Sequence, residues 1–193
     1  MWLSREELLD LGFLTIGTDV FIDSRAMILG AQTISLGNSI RIDAFSVISS
    51  QGGRIKIGNN VHIATKATVY GAGGVELESG SGLAAGVVVL SATDDYVLGN
   101  LTNPTMSPDH RLVTRAPVIL GRHTVVGANS VILPGSKLGF GVSVGALTLV
   151  RGVIEDYSIL VGNPCRVIGK RNKTKLDSLD FDYSQTNGAP EAN

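Results

Sequence analysis

Aliphatic residues return along this chain at every sixth position. Ile16, Ile22 and Ile28 begin the series, followed by Leu36, Ile42 and Ile48, then Ile57, Ile63 and Val69, then Leu77, Leu83 and Val89. After a break the pattern resumes with Leu120, Val126 and Ile132, then Leu138, Val144 and Val150. A period of six fits neither an amphipathic helix nor an alternating strand. It predicts one short strand and one corner per hexad, with three hexads closing a triangular coil. Each aliphatic side chain then points inward and stacks on its equivalent one coil above. Small or β-branched residues two places earlier, Ala26, Ser46, Ala67, Ser130 and Thr148, are expected to share this narrow interior. Glycine follows the aliphatic at Gly17, Gly37, Gly58, Gly121, Gly127, Gly139 and Gly145. The reading places these glycines at corners where positive φ favours them. A β-sandwich, which turns at irregular intervals of about 8–12 residues, would not hold phase through so many hexads.

Insertions interrupt the repeat at 29–33, 49–54 and 70–74, and these read as corner loops. The longest runs over 91–117, and an excursion of that length inside a compact domain is often functional. At the N-terminus, Ser4 with Glu7 forms a capping-box signature and Gly12 a helix stop, so a short helix from about Arg5 to Leu11 should cover the open end of the first coil. The chain therefore divides into a helical cap (1–14), an all-β parallel β-helix (15–156) and a C-terminal segment (157–193). That last segment is expected to return outside the coils over 157–171 and to end in a flexible tail from about Phe181.

Composition agrees with many short strands and tight corners: 24 glycines and only 5% aromatic residues. Lys and Arg total 16 against 17 Asp and Glu, which gives no electrostatic case for nucleic acid or an anionic membrane. Basic residues gather only at Arg166, Lys170, Arg171, Lys173 and Lys175, either a solvated face or an anion-binding edge. The single cysteine, Cys165, excludes an internal disulfide and a Cys-based zinc site. With no apolar run of membrane-spanning length and no basic leader, a cytoplasmic protein without membrane insertion is expected.

Two stretches carry a family resemblance. Ile119-Leu-Gly-Arg-His-Thr-Val-Val-Gly-Ala-Asn-Ser-Val-Ile-Leu-Pro-Gly135 resembles the hexapeptide acyltransferase pattern, and Val161-Gly-Asn-Pro-Cys-Arg-Val-Ile168 its C-terminal element. The resemblance spans about Ile16 to Ile168 and implies a left-handed coil. It further implies a homotrimer with active sites in grooves between adjacent prisms, and coenzyme A along the last coils, with acetyl-CoA as co-substrate and no metal. Gly127, Ala128, Gly145 and Ala146 would let the pantetheine arm approach the backbone, although plain corner geometry also explains small residues there. Asn163, Pro164 and Arg166 match the C-terminal element, and Arg166 and Lys170 are candidates to pair with the cofactor phosphates.

Within the family the chain looks most like the maltose and galactoside acetyltransferase branch, which places a histidine where the chain leaves the fourth coil. Here that place reads Leu90-Ser-Ala-Thr-Asp-Asp95, with Asp94 in the histidine's position. A sugar hydroxyl must lose its proton as it attacks a thioester, which calls for a base such as imidazole. A neutral amine has its own lone pair and needs only positioning and one hydrogen-bond acceptor. Asp94 can supply that. The segments Ser91–Tyr96 and Leu101–Pro104 are also similar to sugar acyltransferases of surface-polysaccharide gene sets. The favoured reading is N-acetylation of a nucleotide-linked amino sugar, specifically a dTDP-4-amino-4,6-dideoxyhexose.

Asp94 and His62 are the candidate catalytic groups. Asp94, Asp95, Tyr70, Tyr96 and Asn103 are candidates for acceptor binding. An O-acetyltransferase using His62 or His110 as base is the alternative, and a non-catalytic scaffold subunit a second. His123 is a weaker catalytic candidate. A zinc enzyme on the same fold, of the carbonic anhydrase type, lacks the required histidine spacing.

Overall fold

The computed structural model describes residues 1–187. Its strands stack into three sheets, the walls of a triangular prism. The first face has seven strands, from Thr15–Ile16 to Val153–Ile154. The second has eight, from Phe21–Ile22 to Ser158–Val161 with Arg166–Lys170 added at its end. The third has six, from Met27–Leu29 to Leu149–Val150. Apart from Arg166–Lys170 at the end of the second face, every pairing in the stack is parallel, so each strand satisfies its backbone groups on the coils above and below. The chain is a left-handed parallel β-helix.

The six-residue series forms the core. Ile22, Ile42, Ile48, Ile63, Val69, Val89, Leu120, Val126, Ile132 and Val150 are fully buried, whereas Ile16 and Ile28 of the first coil are only partly covered. Burying each such side chain contributes roughly 1.5–3 kcal/mol. Ser46, Ala67, Ser130 and Thr148 point inward as expected. The inward hydroxyls bond to backbone: Ser46 Oγ donates to Ala64 O at 3.0 Å and Ser130 Oγ to Gly145 O at 2.9 Å. A polar atom is thereby tolerated in an apolar prism.

The corner assignment needs correction. Gly17, Gly37, Gly58, Gly121, Gly127, Gly139 and Gly145 do not have positive φ. The left-handed position falls two residues later, at Asp19, Ser39, Asn60, Gly80, His123, Gly141 and Tyr157 on one edge and at Phe45, Lys66, Gly86, Asn129 and Leu147 on the next. The glycines are small for a different reason: consecutive coils touch there. A Cβ on Gly127 would lie 2.5 Å from Ala146 N, and one on Gly37 would lie 2.5 Å from Asn59 Oδ1.

Helix α1 (Arg5–Asp10) forms at the N-terminus with both arms of the capping box: Glu7 N–H donates to Ser4 Oγ at 3.2 Å, and Ser4 N–H to Glu7 Oε2 at 2.7 Å. Its Leu8 is buried over the first coil. The C-terminal segment differs from expectation. Ser158–Val161 continues the second face as one more strand, and only Arg166–Lys170 turns back, antiparallel. The flexible tail expected from Phe181 is instead helical as far as Asn187, within α2 (Lys173–Asn187); the remainder of that expectation, 188–193, lies outside the described residues. Asp180 of α2 accepts from His123 Nε2 at 2.7 Å and from Arg122, while Tyr157 donates to Asp177 at 2.6 Å. Among the described residues no helix is long and apolar enough to cross a membrane.

Candidate functional site

The excursion leaves the fourth coil after Val88–Leu90 and opens with a two-stranded antiparallel hairpin, Ala92–Asp94 against Val113–Arg115. Ser91 roots it: its Oγ donates to Tyr70 O at 2.8 Å and accepts Gly73 N–H at 2.9 Å. Asp94 closes the hairpin strand. Its Oδ1 accepts from Arg111 Nη2 at 2.9 Å and its Oδ2 from Asn103 N–H at 3.4 Å. The Arg111 guanidinium holds the Asp94 carboxyl below the usual carboxylate range; partial burial opposes the shift and the Asn103 N–H reinforces it. Asp94 is therefore a fixed, ionised acceptor. It is too weakly basic to take a proton from a hydroxyl near neutral pH.

Asp95 has a different role. Oδ1 accepts the N–H groups of Val97 and Leu98, both at 2.8 Å, and Oδ2 accepts Asn100 N–H at 3.0 Å and Asn100 Nδ2 at 2.8 Å. With four donors already on its oxygens, it organises the loop tip. Asn103, at φ 73°, is also a turn residue: its Oδ1 accepts Thr105 N–H and Oγ1, leaving its own N–H to face Asp94. Tyr96 projects into solvent and Tyr70 lies half-buried at the foot of the excursion.

His62 does point outward from the prism wall, as its sequence position implies. Its Nε2 lies 2.8 Å from Asp43 Oδ2, and Asp43 Oδ1 accepts from Arg41 Nε at 2.7 Å. His110 is exposed in a 3₁₀ turn, Pro108–His110, of the excursion. His123 is held by Asp180 and packed edge-on to Phe140 and Tyr183, a structural clamp for α2. Among the described residues no cluster of three His, Cys, Asp or Glu side chains is arranged to hold a metal.

Gly127, Ala128, Gly145 and Ala146 stack on adjacent coils, with Gly127 N–H donating to Val144 O and Leu147 N–H to Ala128 O. Asn163 and Pro164, joined by a cis peptide, are exposed in the turn before Arg166, whose side chain is also exposed. Lys170 is tied to the neighbouring coil. Its ammonium donates to Glu155 Oε2 at 3.2 Å, Asp156 O at 2.8 Å and Ser158 Oγ at 3.0 Å, so on the single chain its three protons are engaged by protein oxygens.

One hollow of about 290 Å³ indents the first face between Ser35, Arg54 and Lys56, and none of the candidate site residues lines it. Of the candidates, His62, Tyr96, Asn103, Asn163, Pro164 and Arg166 are exposed, whereas Tyr70, Asp94, Asp95 and Gly127 are partly buried. Arg111 was missed because it reaches Asp94 through the hairpin register, which a six-residue pattern does not encode. Arg111 Nε is a buried donor without a partner among the described residues. Asp43 left a weak signal: with Asp23 it puts a charge in a column that continues as Ala64, Ala84, Gly127, Gly145 and Val161.

Known proteins agree with this geometry. Residues 54–91 and 117–146 match the model of the hexapeptide repeat of succinyl-transferase. A dTDP-4-amino-4,6-dideoxy-D-glucose acyltransferase of Escherichia coli is 31% identical over 176 residues, 91% of this chain and 92% of that protein. Crystal structures of AntD, an N-acyltransferase from Bacillus cereus, superpose with a TM-score of 0.90. One, a variant in complex with dTDP-4-amino-4,6-dideoxyglucose and coenzyme A, is 35% identical over 96% of this chain and 97% of its own. Another, with dTDP and 3-hydroxybutyryl-CoA, is 34% identical over 97% and 98%. The chain belongs to the hexapeptide-repeat acyltransferases.

Proposed function

We propose that this protein is an N-acyltransferase that moves an acyl group from a coenzyme A thioester to the amine of a dTDP-linked 4-amino-4,6-dideoxyhexose. The observation that carries the reading is Asp94: where related O-acetyltransferases carry a base, this chain has a carboxylate kept ionised by Arg111. A carboxylate of that kind suits a sugar ammonium or amine, from which it accepts a hydrogen bond, and does not suit a hydroxyl. The E. coli relative and the ligands of AntD support the same class of acceptor and donor.

In this reading Asp94 orients the amine and Arg111 fixes Asp94. The small residues Gly127, Ala128, Gly145 and Ala146 give the pantetheine arm a close path along the last coils, and Arg166 and the Asn163–Pro164 turn flank it. The protein works as a homotrimer with its sites between copies, a reading supported by the exposure of His62, Tyr96 and Arg166 on the single chain. The reaction belongs to the cytoplasm, where acyl-CoA and nucleotide sugars are both available, and serves surface polysaccharides such as the O-antigen.

A thiol-release assay tests the reading. The purified chain is given acetyl-CoA or 3-hydroxybutyryl-CoA with dTDP-4-amino-4,6-dideoxyglucose or its 4-hydroxyl counterpart. Turnover of the amine, with little of the hydroxyl compound, is expected. Turnover of the hydroxyl compound alone overturns it. Comparing the two donors settles the acyl group, acetyl being the expected one.

A further inference from the structure

The outer surface of the second face changes character along its length. The residue before each inward aliphatic runs Phe21, Arg41, His62, Gly82, Val125 and Ser143 from one coil to the next. The residue after it runs Asp23, Asp43, Ala64, Ala84, Gly127 and Gly145, each in register through backbone hydrogen bonds. Large and charged side chains fill the early coils. Beyond His62 the outward side chains are small at Gly82, Ala64, Ala84, Gly127, Gly145 and Ser143, with Val125 the one larger residue between them, and a Cβ built on Gly82 would meet nothing nearer than His62 O at 3.9 Å. This stretch joins the Gly127 and Gly145 region, about 10 Å along the stack from His62 at the usual strand spacing. It ends against the His62 ring.

His62 is built as an oriented imidazole. A carboxylate only accepts, so its 2.8 Å contact with Asp43 places the proton on Nε2 and leaves the lone pair on Nδ1. Half of the ring is open to solvent, whereas the Asp43 side chain is only 18% exposed. Burial works against the Asp43 charge, but hydrogen bonds from Arg41 and His62 outweigh it and hold the carboxyl below its ordinary value. The charged groups facing the ring are Arg41 and Asp43 on the coil before; Gly82 and Ala84 on the coil after carry none. The other histidine paired with a carboxylate, His123, is committed to α2.

We infer that His62, oriented by Asp43, takes the proton from the acceptor ammonium, and that it does so opposite Asp94 of a neighbouring copy. The inference rests on the N-acyl reading above. The excursion leaves the edge between the third and first faces, and the second face is the wall opposite that edge. The prism separates Asp94 and His62 of one chain, so a site holding both draws on two copies.

A sugar ammonium must lose a proton before it can attack, and α-amino groups titrate at about 8. His62 Nδ1 takes that proton and the nitrogen lone pair attacks the thioester carbonyl, forming the C–N bond. The tetrahedral intermediate collapses with cleavage of C–S, whose electron pair leaves on sulfur. The second nitrogen proton passes to that thiolate, giving amide and CoA thiol, and His62 returns its proton to water. Asp43 is a positioning residue.

The test compares wild type with His62→Asn and Asp43→Asn, checked for fold by circular dichroism and thermal melting. The assay is thiol release from acetyl-CoA with dTDP-4-amino-4,6-dideoxyglucose from pH 6 to 9. With the amine titrating at about 8, about a tenth of it is free at pH 7, so loss of the base predicts that His62→Asn lowers kcat/KM for the amine about tenfold there. The deficit should shrink toward pH 9, where the amine is already free, with KM for acetyl-CoA unchanged. Asp43→Asn should show the same pH trend with a smaller loss. Wild-type rates for His62→Asn across the range overturn the base. If wild type acylates only the hydroxyl counterpart, the N-acyl reading falls by itself, and the same comparison on that acceptor decides His62: a loss supports it, no loss overturns it. Finally, Asp94→Asn and His62→Asn chains are co-expressed under two tags. Recovery of activity in the doubly tagged oligomer supports the shared site, and activity no higher than the parents' overturns it.

Discussion

Arg111 Nη2 donates to Asp94 Oδ1 at 2.9 Å across the excursion hairpin, and both side chains are largely shielded from solvent. The pair makes Asp94 a carboxylate of defined direction. It also lowers the pH at which that carboxylate is neutralised. The charge is thus constant over the range in which sugar amines and imidazoles titrate. Asp94 acts as a fixed counter-charge while proton transfer is left to another group.

The first prediction follows from this division. A hydrogen bond to a charged group contributes about 1.5–3 kcal/mol, so Asp94→Asn should weaken acceptor binding by about 10- to 100-fold. Coenzyme A affinity, measured by calorimetry, should be unaffected, and equal loss of both affinities would contradict the assignment. Arg111→Gln should return the Asp94 carboxyl toward its ordinary value. Because the folded value is depressed, the contribution of the pair is intact at neutral pH and disappears as pH falls through that depressed value. Without Arg111 the acidic limb of kcat/KM should move to higher pH.

The prism was legible because a single constraint repeats. Ile42, Ile63 and Leu83 occupy equivalent rungs of a narrow interior, and only one spacing in the sequence puts them there. The same spacing foretold that His62, one place before Ile63, faces outward. The conformation of the corners was not legible in this way. Glycine at Gly37 admits two explanations, positive φ or close approach, and only coordinates separate them. Partners outside the repeat were hidden for another reason. Arg111 meets Asp94 from 17 residues away through a hairpin, and Asp180 meets His123 from 57 residues away through a helix with no apolar periodicity to announce where it docks.

Close approach at Gly127 gives a second prediction. A methyl group there would lie 2.5 Å from Ala146 N and 2.7 Å from Gly145 C, both backbone atoms that cannot rotate away. Overpacking of this kind costs about 1–3 kcal/mol. Gly127→Ala should lower the denaturation midpoint accordingly and raise KM for acetyl-CoA, since the coils parted by the methyl are those along which the pantetheine arm is placed. If positive φ were the reason for glycine, Gly127→Asn would be well tolerated, and it is expected to be worse than Ala. Chemical denaturation of the two variants decides between the explanations.

Docking of α2 gives a third. Asp180 accepts from Arg122 and His123 together, and the helix also ties to Tyr157 through Asp177. Leu176 meets the coils at Gly141, where a Cβ would come within 2.4 Å of its Cδ2. Asp180→Asn removes the charge from the shared contact, worth about 1.5–3 kcal/mol. Hydrogen exchange should accelerate about 10- to 100-fold over Lys173–Asn187 while the β-helix core, held by its own ladder, keeps its protection. A uniform loss of protection across the chain would show that α2 is part of the global cooperative unit.

The adjacent carboxylates make the last prediction a test of division of labour. Asp94 looks toward Arg111 and the hairpin interior, whereas Asp95 looks toward the loop tip and collects the N–H groups of Val97, Leu98 and Asn100. Those donors, Leu98 N–H foremost, hold the Asp95 carboxyl far below the ordinary carboxylate range, so the tip keeps its fold until strongly acidic pH. Asp95→Ala should release residues 96–100, seen as faster amide exchange confined to them. Ordering that tip would then fall to substrate binding, so KM for the acceptor should rise about tenfold while kcat changes little. Asp95→Asn keeps one oxygen and should recover part of the loss, whereas at Asp94 the same Asp-to-Asn exchange removes the counter-charge itself. Matching kinetic defects in the Asn variants at 94 and 95 would show that the two carboxylates share one role.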